Sequence, residues 1–215
     1  RYVVPNLKKI QTRMSSLPIL EETWRDKSPM PLDDNSTEGK LWFTERHTPD
    51  IVFQVKVKQK LYSIQSHYQL IEVFDTFEFG RMLTLDGLIM VTERDEFAYH
   101  EMMVHVPMLS HPNPLNVLVV GGGDGGCLRE LMKYPSLKKA VQVEIDAEVI
   151  SVCREYFPRI VTTFEHSKVE LVIEDALNYV KSCEDQFDVV IVDGSDPVGP
   201  AVDLFKSDFI AEIHK

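Results

Sequence analysis

The chain has 215 residues, 44% of them hydrophobic, and its 34 acidic side chains against 23 lysines and arginines give a formal net charge of −11. That length allows one or two domains and that apolar content a packed core, while an acidic balance without a basic stripe speaks against nucleic acid as a partner. No apolar run approaches a membrane span, no compact apolar leader occupies the first twenty residues, and three widely spaced cysteines, Cys127, Cys153 and Cys183, predict a reducing, cytoplasmic setting without a disulfide framework.

Residues 1–40 read as an extension or linker of unknown role. Leu7–Leu20 holds at most a short helix broken at Pro18, and Ser28–Lys40 is rich in Pro, Asp, Asn and Gly. Residues 41–93 predict a small antiparallel β domain. Leu41–Glu45 is a candidate strand, and Ile51–Lys58 alternates at period two through Phe53, Val55 and Val57. Tyr68–Phe74 and Arg81–Leu85 form a pair turned at Phe79-Gly80, and Asp86-Gly87 is a hairpin signal before Leu88–Thr92. Asp95–Pro107 reads as a helix opening the second domain, residues 94–215, and His111-Pro-Asn-Pro114 breaks the chain.

From there β and α alternate. Val117–Val120 is a run of branched residues expected in a buried parallel strand, followed by Gly121-Gly-Gly-Asp-Gly-Gly126 and a helix from about Cys127. Strands Ala140–Val143, Val169–Ile173 and Phe187–Val192 follow, with helices at Glu148–Phe157 and Leu177–Cys183. A loop then runs to Leu204 and a last helix begins near Lys206. The expectation is a doubly wound α/β sheet that binds its ligand beyond the carboxyl ends of its strands. Four strands leave one sheet edge uncovered, so the reading also expects a missing C-terminal part.

The glycine turn fits the dinucleotide spacing G-x-G-x-x-G at Gly121, Gly123 and Gly126. Asp124 inside it would repel a pyrophosphate, so the turn suits a ligand that carries positive charge there; its alternative role is a helix N-cap. Each later strand also delivers an acid to the same edge: Glu144 and Asp146, then Asp175, then Asp193 and Asp196. Gathered carboxylates require a cation, either a metal or an organic amine. Asp146 reads as an N-cap and Asp196, before Pro197, as a turn residue. Glu144 stands where this fold places a ribose-hydroxyl acceptor, and Asp193 ends a buried strand where structure alone gives a charge little reason to be. Metal readings are weaker. His100 and His105 are one residue too far apart for H-E-x-x-H and diverge by more than a quarter turn on a helix, so no metal ligands are assigned.

These residues together resemble the polyamine aminopropyltransferases, and within them the spermidine synthases. The likeness runs from about Leu41 to Lys215 through Tyr68-Gln69, Leu85-Asp-Gly87, Thr92-Glu-Arg-Asp-Glu-Phe97, Tyr99-His-Glu101, His111-Pro-Asn-Pro114, the glycine turn, Glu144-Ile-Asp146, Glu174-Asp175 and Asp193-Gly-Ser-Asp-Pro-Val-Gly-Pro200. The resemblance implies a small β domain followed by a Rossmann-like domain of the class I methyltransferase kind. It implies transfer of an aminopropyl group from decarboxylated S-adenosylmethionine, a co-substrate rather than a cofactor, to putrescine, giving spermidine and methylthioadenosine. By position it implies that Gln69, His100, Gly122, Asp124, Glu144, Asp175 and Ala176 hold the donor nucleoside. Tyr99, Asp193 and Asp196 would line the amine site, with Asp193 as the catalytic proton acceptor. A homodimer or homotetramer is implied too, with neither nucleic acid nor membrane as partner. The chain departs from the family's usual residues at Gly194, where Ser or Thr is customary, at His100, where Gln is common, and at Val202, where Glu often follows the alanine.

Three other readings stand beside this one: a methyltransferase acting on putrescine with intact S-adenosylmethionine, an NAD-dependent oxidoreductase, which Asp124 disfavours, and a catalytically silent subunit.

Overall fold

The computed structural model describes residues 41–184, 186–195 and 199–213. The expected extension at residues 1–40 lies outside them.

A five-stranded antiparallel meander comes first: β1 (Leu41–Thr48), β2 (Ile51–Gln65), β3 (Leu70–Thr76), β4 (Arg81–Leu85) and β5 (Leu88–Thr92), paired in that order. Strand β2 has fifteen residues and runs well past Lys58, where the sequence pattern ends it. Its register against β3 slips between Val57 and Gln59 and again between Lys60 and Tyr62. A bulge moves the buried positions to the other parity, so the period-two signal stops while the strand continues. The Asp86-Gly87 hairpin is as the dipeptide predicts. Both residues have positive φ, 50° and 81°, as a type I′ turn requires, and the Asp86 carboxylate accepts from Leu70 N at 2.8 Å.

The second part alternates: α1 (Glu96–Ser110), β6 (Asn116–Gly121), α2 (Gly126–Leu131), β7 (Lys139–Glu144), α3 (Ala147–Tyr156), β8 (Val169–Ile173), α4 (Ala176–Ser182) and β9 (Val189–Asp193). A 3-10 helix at Gly199–Phe205 and α5 (Ser207–Ile213) follow, where the sequence reading has only loop up to Leu204. The parallel sheet has the order β8-β7-β6-β9. Strand order therefore reverses between β6 and β9, which places the crevice of this fold there. Helix α1 runs three residues past Pro107, where the sequence reading stops it. Proline removes one helical donor, but Met108, one residue on, is fully packed in the core, and that burial carries the helix forward.

Alternation along β6 divides the core. Val117 and Val119 point to the side of Val104 and Met108 on α1 and Leu128 and Leu131 on α2. Leu118 and Val120 point to the other side, with Val141, Val143, Ala176 and Phe209. A third cluster joins the two sheets: Ile71, Val73, Leu83 and Val91 pack against Val149, Val152, Cys153 and Phe157 on and after α3. At roughly 1.5–3 kcal/mol for each fully buried large apolar side chain, that cluster is enough to fix the meander against α3. The meander therefore supplies a wall of the crevice. Among the described residues no helix is long and apolar enough to cross a membrane.

Candidate active site

The glycine turn after β6 is tight because side chains crowd onto it. Gly122 has φ 69°, donates its N–H to the Asp193 carbonyl at 2.8 Å, and has no room for a side chain: a Cβ there would lie 2.9 Å from Asp193 Oδ2. Gly126, at the start of α2, has ordinary helical geometry, yet a Cβ would lie 2.2 Å from His100 Cε1. One glycine is needed for its conformation and the close approach of an acid, the other only so that an imidazole can lie flat on the helix start.

Asp193 ends β9 opposite Gly121. Its Oδ1 accepts from Tyr99 Oη at 2.9 Å and its Oδ2 from Cys127 Sγ at 3.2 Å. Burial, and next the Asp124 carboxylate, push its pKa up, against the pull of His100 and the two donors. The Cys127 thiol is pushed far up by burial and the Asp193 charge, so it stays protonated and donates. Asp124 Oδ1 accepts from Gly126 N at 2.7 Å; the α2 N-cap itself is Gly125.

Glu144 at the tip of β7 is held by backbone alone. Oε2 accepts from Gly123 N at 3.2 Å and Oε1 from Asp146 N at 2.9 Å. Burial dominates and lifts its pKa to about 7. Asp146 is the α3 N-cap that its sequence position predicts, accepting from Glu148 N at 3.1 Å. Its other oxygen accepts from Ser66 Oγ at 2.7 Å and Gln69 Nε2 at 3.0 Å, so the β2–β3 turn is tied to the tip of β7. Asp175 caps α4 through Asn178 N at 3.1 Å.

Gln69, Tyr99, Gly122, Asp124, Glu144, Asp175, Ala176 and Asp193 all line one cleft. Leu83, Leu85 and Met90 of the meander, with Val149, add an apolar wall that the acidic motifs give no hint of. Asp196 lies outside the described residues. His100 is not on the wall. It is 1% exposed, one layer behind, with Nε2 3.2 Å from Asp124 Oδ1. That N–H is off the line of the oxygen, so the contact is an ion pair rather than a directed hydrogen bond.

Two residues behind His100 have no role assigned by the sequence reading. Arg129 grips Glu96 with two hydrogen bonds, Nη1–Oε1 at 2.7 Å and Nη2–Oε2 at 2.8 Å, and Glu96 Oε2 meets His100 Nδ1 at 2.6 Å. Burial alone would raise Glu96; His100 and Arg129 outweigh it and bring it down to about 2. Burial likewise disfavours a charged His100, but Asp124 and Glu96 outweigh that and raise it to about 10. The spacing Glu96-x-x-x-His100 was available as one helical turn; Arg129 on another helix was not.

His105 points elsewhere. Its Nε2 is 3.2 Å from Glu130 Oε2 and its Nδ1 2.8 Å from Tyr134 Oη, so the two histidines of α1 serve different carboxylates. The group formed by Glu101, His105 and Glu130 already holds a cation, because Lys133 pairs with Glu130 and stands 3.8 Å from Glu101. The group formed by His100, Asp124 and Asp193 likewise has the imidazolium as its cation.

Comparison with known proteins agrees with this geometry. The spermine/spermidine synthase domain profile matches residues 96–215, and the spermidine synthase tetramerisation domain profile matches residues 41–93. A polyamine aminopropyltransferase of Alkaliphilus metalliredigens is 50% identical over 175 residues, which are 81% of this chain and 62% of that protein. One from Bacillus cytotoxicus is 48% identical over 81% of this chain and 64% of its own length. The chain thus spans less than two thirds of these relatives. Among solved structures, a spermidine synthase in complex with the transition state analogue AdoDATO superposes with a TM-score of 0.79 at 38% identity, covering 91% of this chain and 64% of that one. Spermidine synthase from Thermotoga maritima superposes with a TM-score of 0.74 at 37% identity, covering 91% and 63%. The chain belongs to the spermine/spermidine synthase family.

Proposed function

We propose that the protein transfers the aminopropyl group of decarboxylated S-adenosylmethionine to putrescine, giving spermidine and methylthioadenosine. The observation that carries this reading is the cleft in which Asp124, Glu144, Asp175 and Asp193 surround an apolar-walled space at the strand-order reversal. Such a space suits a nucleoside whose far end is cationic and whose partner is an amine.

In this reading Glu144 accepts from the ribose hydroxyls, Asp175 and Ala176 meet the adenine edge, and Gln69 and Gly122 border the nucleoside. Asp124 holds the ammonium of the aminopropyl arm. Ordinary S-adenosylmethionine carries a carboxylate near that ammonium and is repelled, which gives donor choice by a like-charge penalty. The leaving group is a neutral thioether, so no general acid is needed. The attacking amine is a different matter: with a pKa near that of lysine, about 10.4, it arrives protonated. Asp193, held by Tyr99 and Cys127, accepts that proton. The amine nitrogen then forms a bond to the arm's terminal carbon as the carbon–sulfur bond breaks and sulfur keeps the electron pair. The raised pKa of Asp193 narrows the gap to the amine, and alignment of nitrogen, carbon and sulfur supplies the larger part of the rate. Asp196 is proposed to hold the amine's second charge. Assembly into a homodimer or homotetramer is supported by the tetramerisation profile that matches residues 41–93.

The test is a product assay with the full chain and a panel of amines, offered decarboxylated or intact S-adenosylmethionine. Spermidine and methylthioadenosine from putrescine and the decarboxylated donor are expected. N-methylputrescine from the intact donor would overturn the proposal, as would no product from any pair.

A further inference from the structure

A cation already stands behind the cleft wall, against Asp124. Both ring nitrogens of His100 face carboxylate oxygens, Nδ1 to Glu96 Oε2 at 2.6 Å and Nε2 to Asp124 Oδ1 at 3.2 Å. An ionised carboxylate only accepts, and a neutral imidazole has one N–H and one lone pair. A neutral His100 would therefore leave a bare lone pair beside one of the two acids, so this geometry favours the imidazolium. Its surroundings hold it there. Arg129 pins Glu96 as a carboxylate through the bidentate pair, and the ring packs against Gly126, where even one more carbon would not fit. The other titratable groups about the ring are Asp193 from β9, Tyr99 from its own helix and Cys127 from α2. None is a cation, so among the described residues, apart from Arg129, which is committed to Glu96 and Glu130, His100 is the cation that faces Asp124.

We propose that the Arg129–Glu96 pair keeps His100 charged as a stand-in for the ligand's cation at Asp124, so that an incoming ammonium arm competes with the Nε2 proton of His100 and releases it to solvent. This rests on the reading of Asp124 as the seat of the donor's ammonium, and it adds that donor binding is proton-coupled. When the arm arrives, two cations share one carboxylate. A second unit charge roughly 5 Å away at an effective dielectric of ~20 lowers the pKa of His100 by about two units. The Nδ1 proton stays with Glu96 and the Nε2 proton leaves; one charge enters and one departs. Arg129 and Glu96 act here as positioning residues that work through His100.

The experiment compares two thioether nucleosides that differ only in charge: methylthioadenosine, which is neutral, and the analogue whose methyl is replaced by 3-aminopropyl. Calorimetry at pH 9 in buffers of different ionisation enthalpy counts protons. Binding of the aminopropyl compound should release most of one proton and methylthioadenosine none. In parallel, nitrogen-15 spectra of the imidazoles, with His100 assigned from His100→Gln, should show both His100 nitrogens protonated through pH 8. Glu96→Gln should bring that titration down by two pH units or more and abolish the proton release. Equal release for both nucleosides, or a His100 that titrates near the ordinary imidazole value of about 6.5, overturns the proposal using the unmodified chain alone. If the aminopropyl compound binds without proton release, only the competition fails. If neither nucleoside binds, the donor-site reading fails and takes the competition with it.

Discussion

Tyr99 and Asp193 lie 94 residues apart in sequence and meet at 2.9 Å, phenol to carboxylate. The bond links the first turns of α1 to the end of β9 across the mouth of the crevice. A hydrogen bond to a charged group is worth about 1.5–3 kcal/mol, so Tyr99→Phe should lower kcat/KM for the amine roughly 10- to 100-fold. Methylthioadenosine affinity should stay within about twofold, since Tyr99 is proposed to line the acceptor side. Equal losses for both ligands, in steady-state kinetics and calorimetry, would show that the tyrosine shapes the whole cleft.

Asp193→Asn keeps the shape and removes the proton acceptor. Turnover should fall by about 100-fold or more, while methylthioadenosine binds as before. The asparagine keeps one acceptor oxygen, for Tyr99, and turns its NH2 to the Cys127 sulfur, a weak acceptor; since a buried carboxylate beside Asp124 is exchanged for a neutral amide, thermal stability should change little. A full rate in this variant would remove Asp193 from proton transfer.

Three buried groups give the fold a pH signature with opposing signs. Glu144 has a folded pKa of about 7, above its ordinary value of 4.5. The folded state then holds the extra proton between those values, so this group costs stability as pH rises from 4.5 to 7. Glu96, depressed to about 2, contributes stability that is present above 4.5 and is lost as pH falls towards 2. His100, raised to about 10, contributes stability that is fully present below 6.5 and is lost as pH rises through 10. Denaturant titrations from pH 3 to 10.5 should show losses at both ends. The high-pH loss should disappear in His100→Gln and the low-pH loss shrink in Glu96→Gln. If Glu144 takes the ribose hydroxyls as proposed, they donate to its ionised form, so methylthioadenosine affinity should rise as pH passes upward through 7, and Glu144→Gln should flatten that rise.

Two glycines separate conformation from space. Gly87 has φ 81° and open space around the position a Cβ would take, with nothing within 4 Å, whereas Gly126 has ordinary φ with His100 at 2.2 Å. Gly87→Ala should cost about 1–2 kcal/mol from backbone strain alone and leave the cleft intact. Gly126→Ala should cost a similar or larger amount, about 1–3 kcal/mol from overpacking, and in addition displace His100 from Asp124. Thermal melts alone do not separate the two variants; the charge state of His100 does.

The parallel half was legible in the sequence because its strands are short branched runs with an acid at their end or within three residues beyond it. Strands β8, β4 and β5 have the bounds their patterns predict. Residues whose meaning lies at the end of a strand, Glu144, Asp175 and Asp193, were legible for the same reason. What escaped was anything set by packing between elements. Strand β2 continues through two register slips that erase its alternation, and α1 passes its proline because Met108 is buried beyond it. Arg129 looked like one more charge on a short helix until α1 brought Glu96 against it. Cys127, read in the sequence only for its redox setting, donates to Asp193, and His100 stands behind the wall rather than in it.

One side chain, Asp146, is shared by three parts of the molecule. It caps α3, accepts from Ser66 and Gln69 of the meander, and through its own N–H holds Glu144. A tilt of the meander therefore travels through Ser66 and Gln69 to Asp146 and from there to the Glu144 carboxylate. The antiparallel meander and the acid at the end of β7 are mechanically geared, and the gear is a single aspartate.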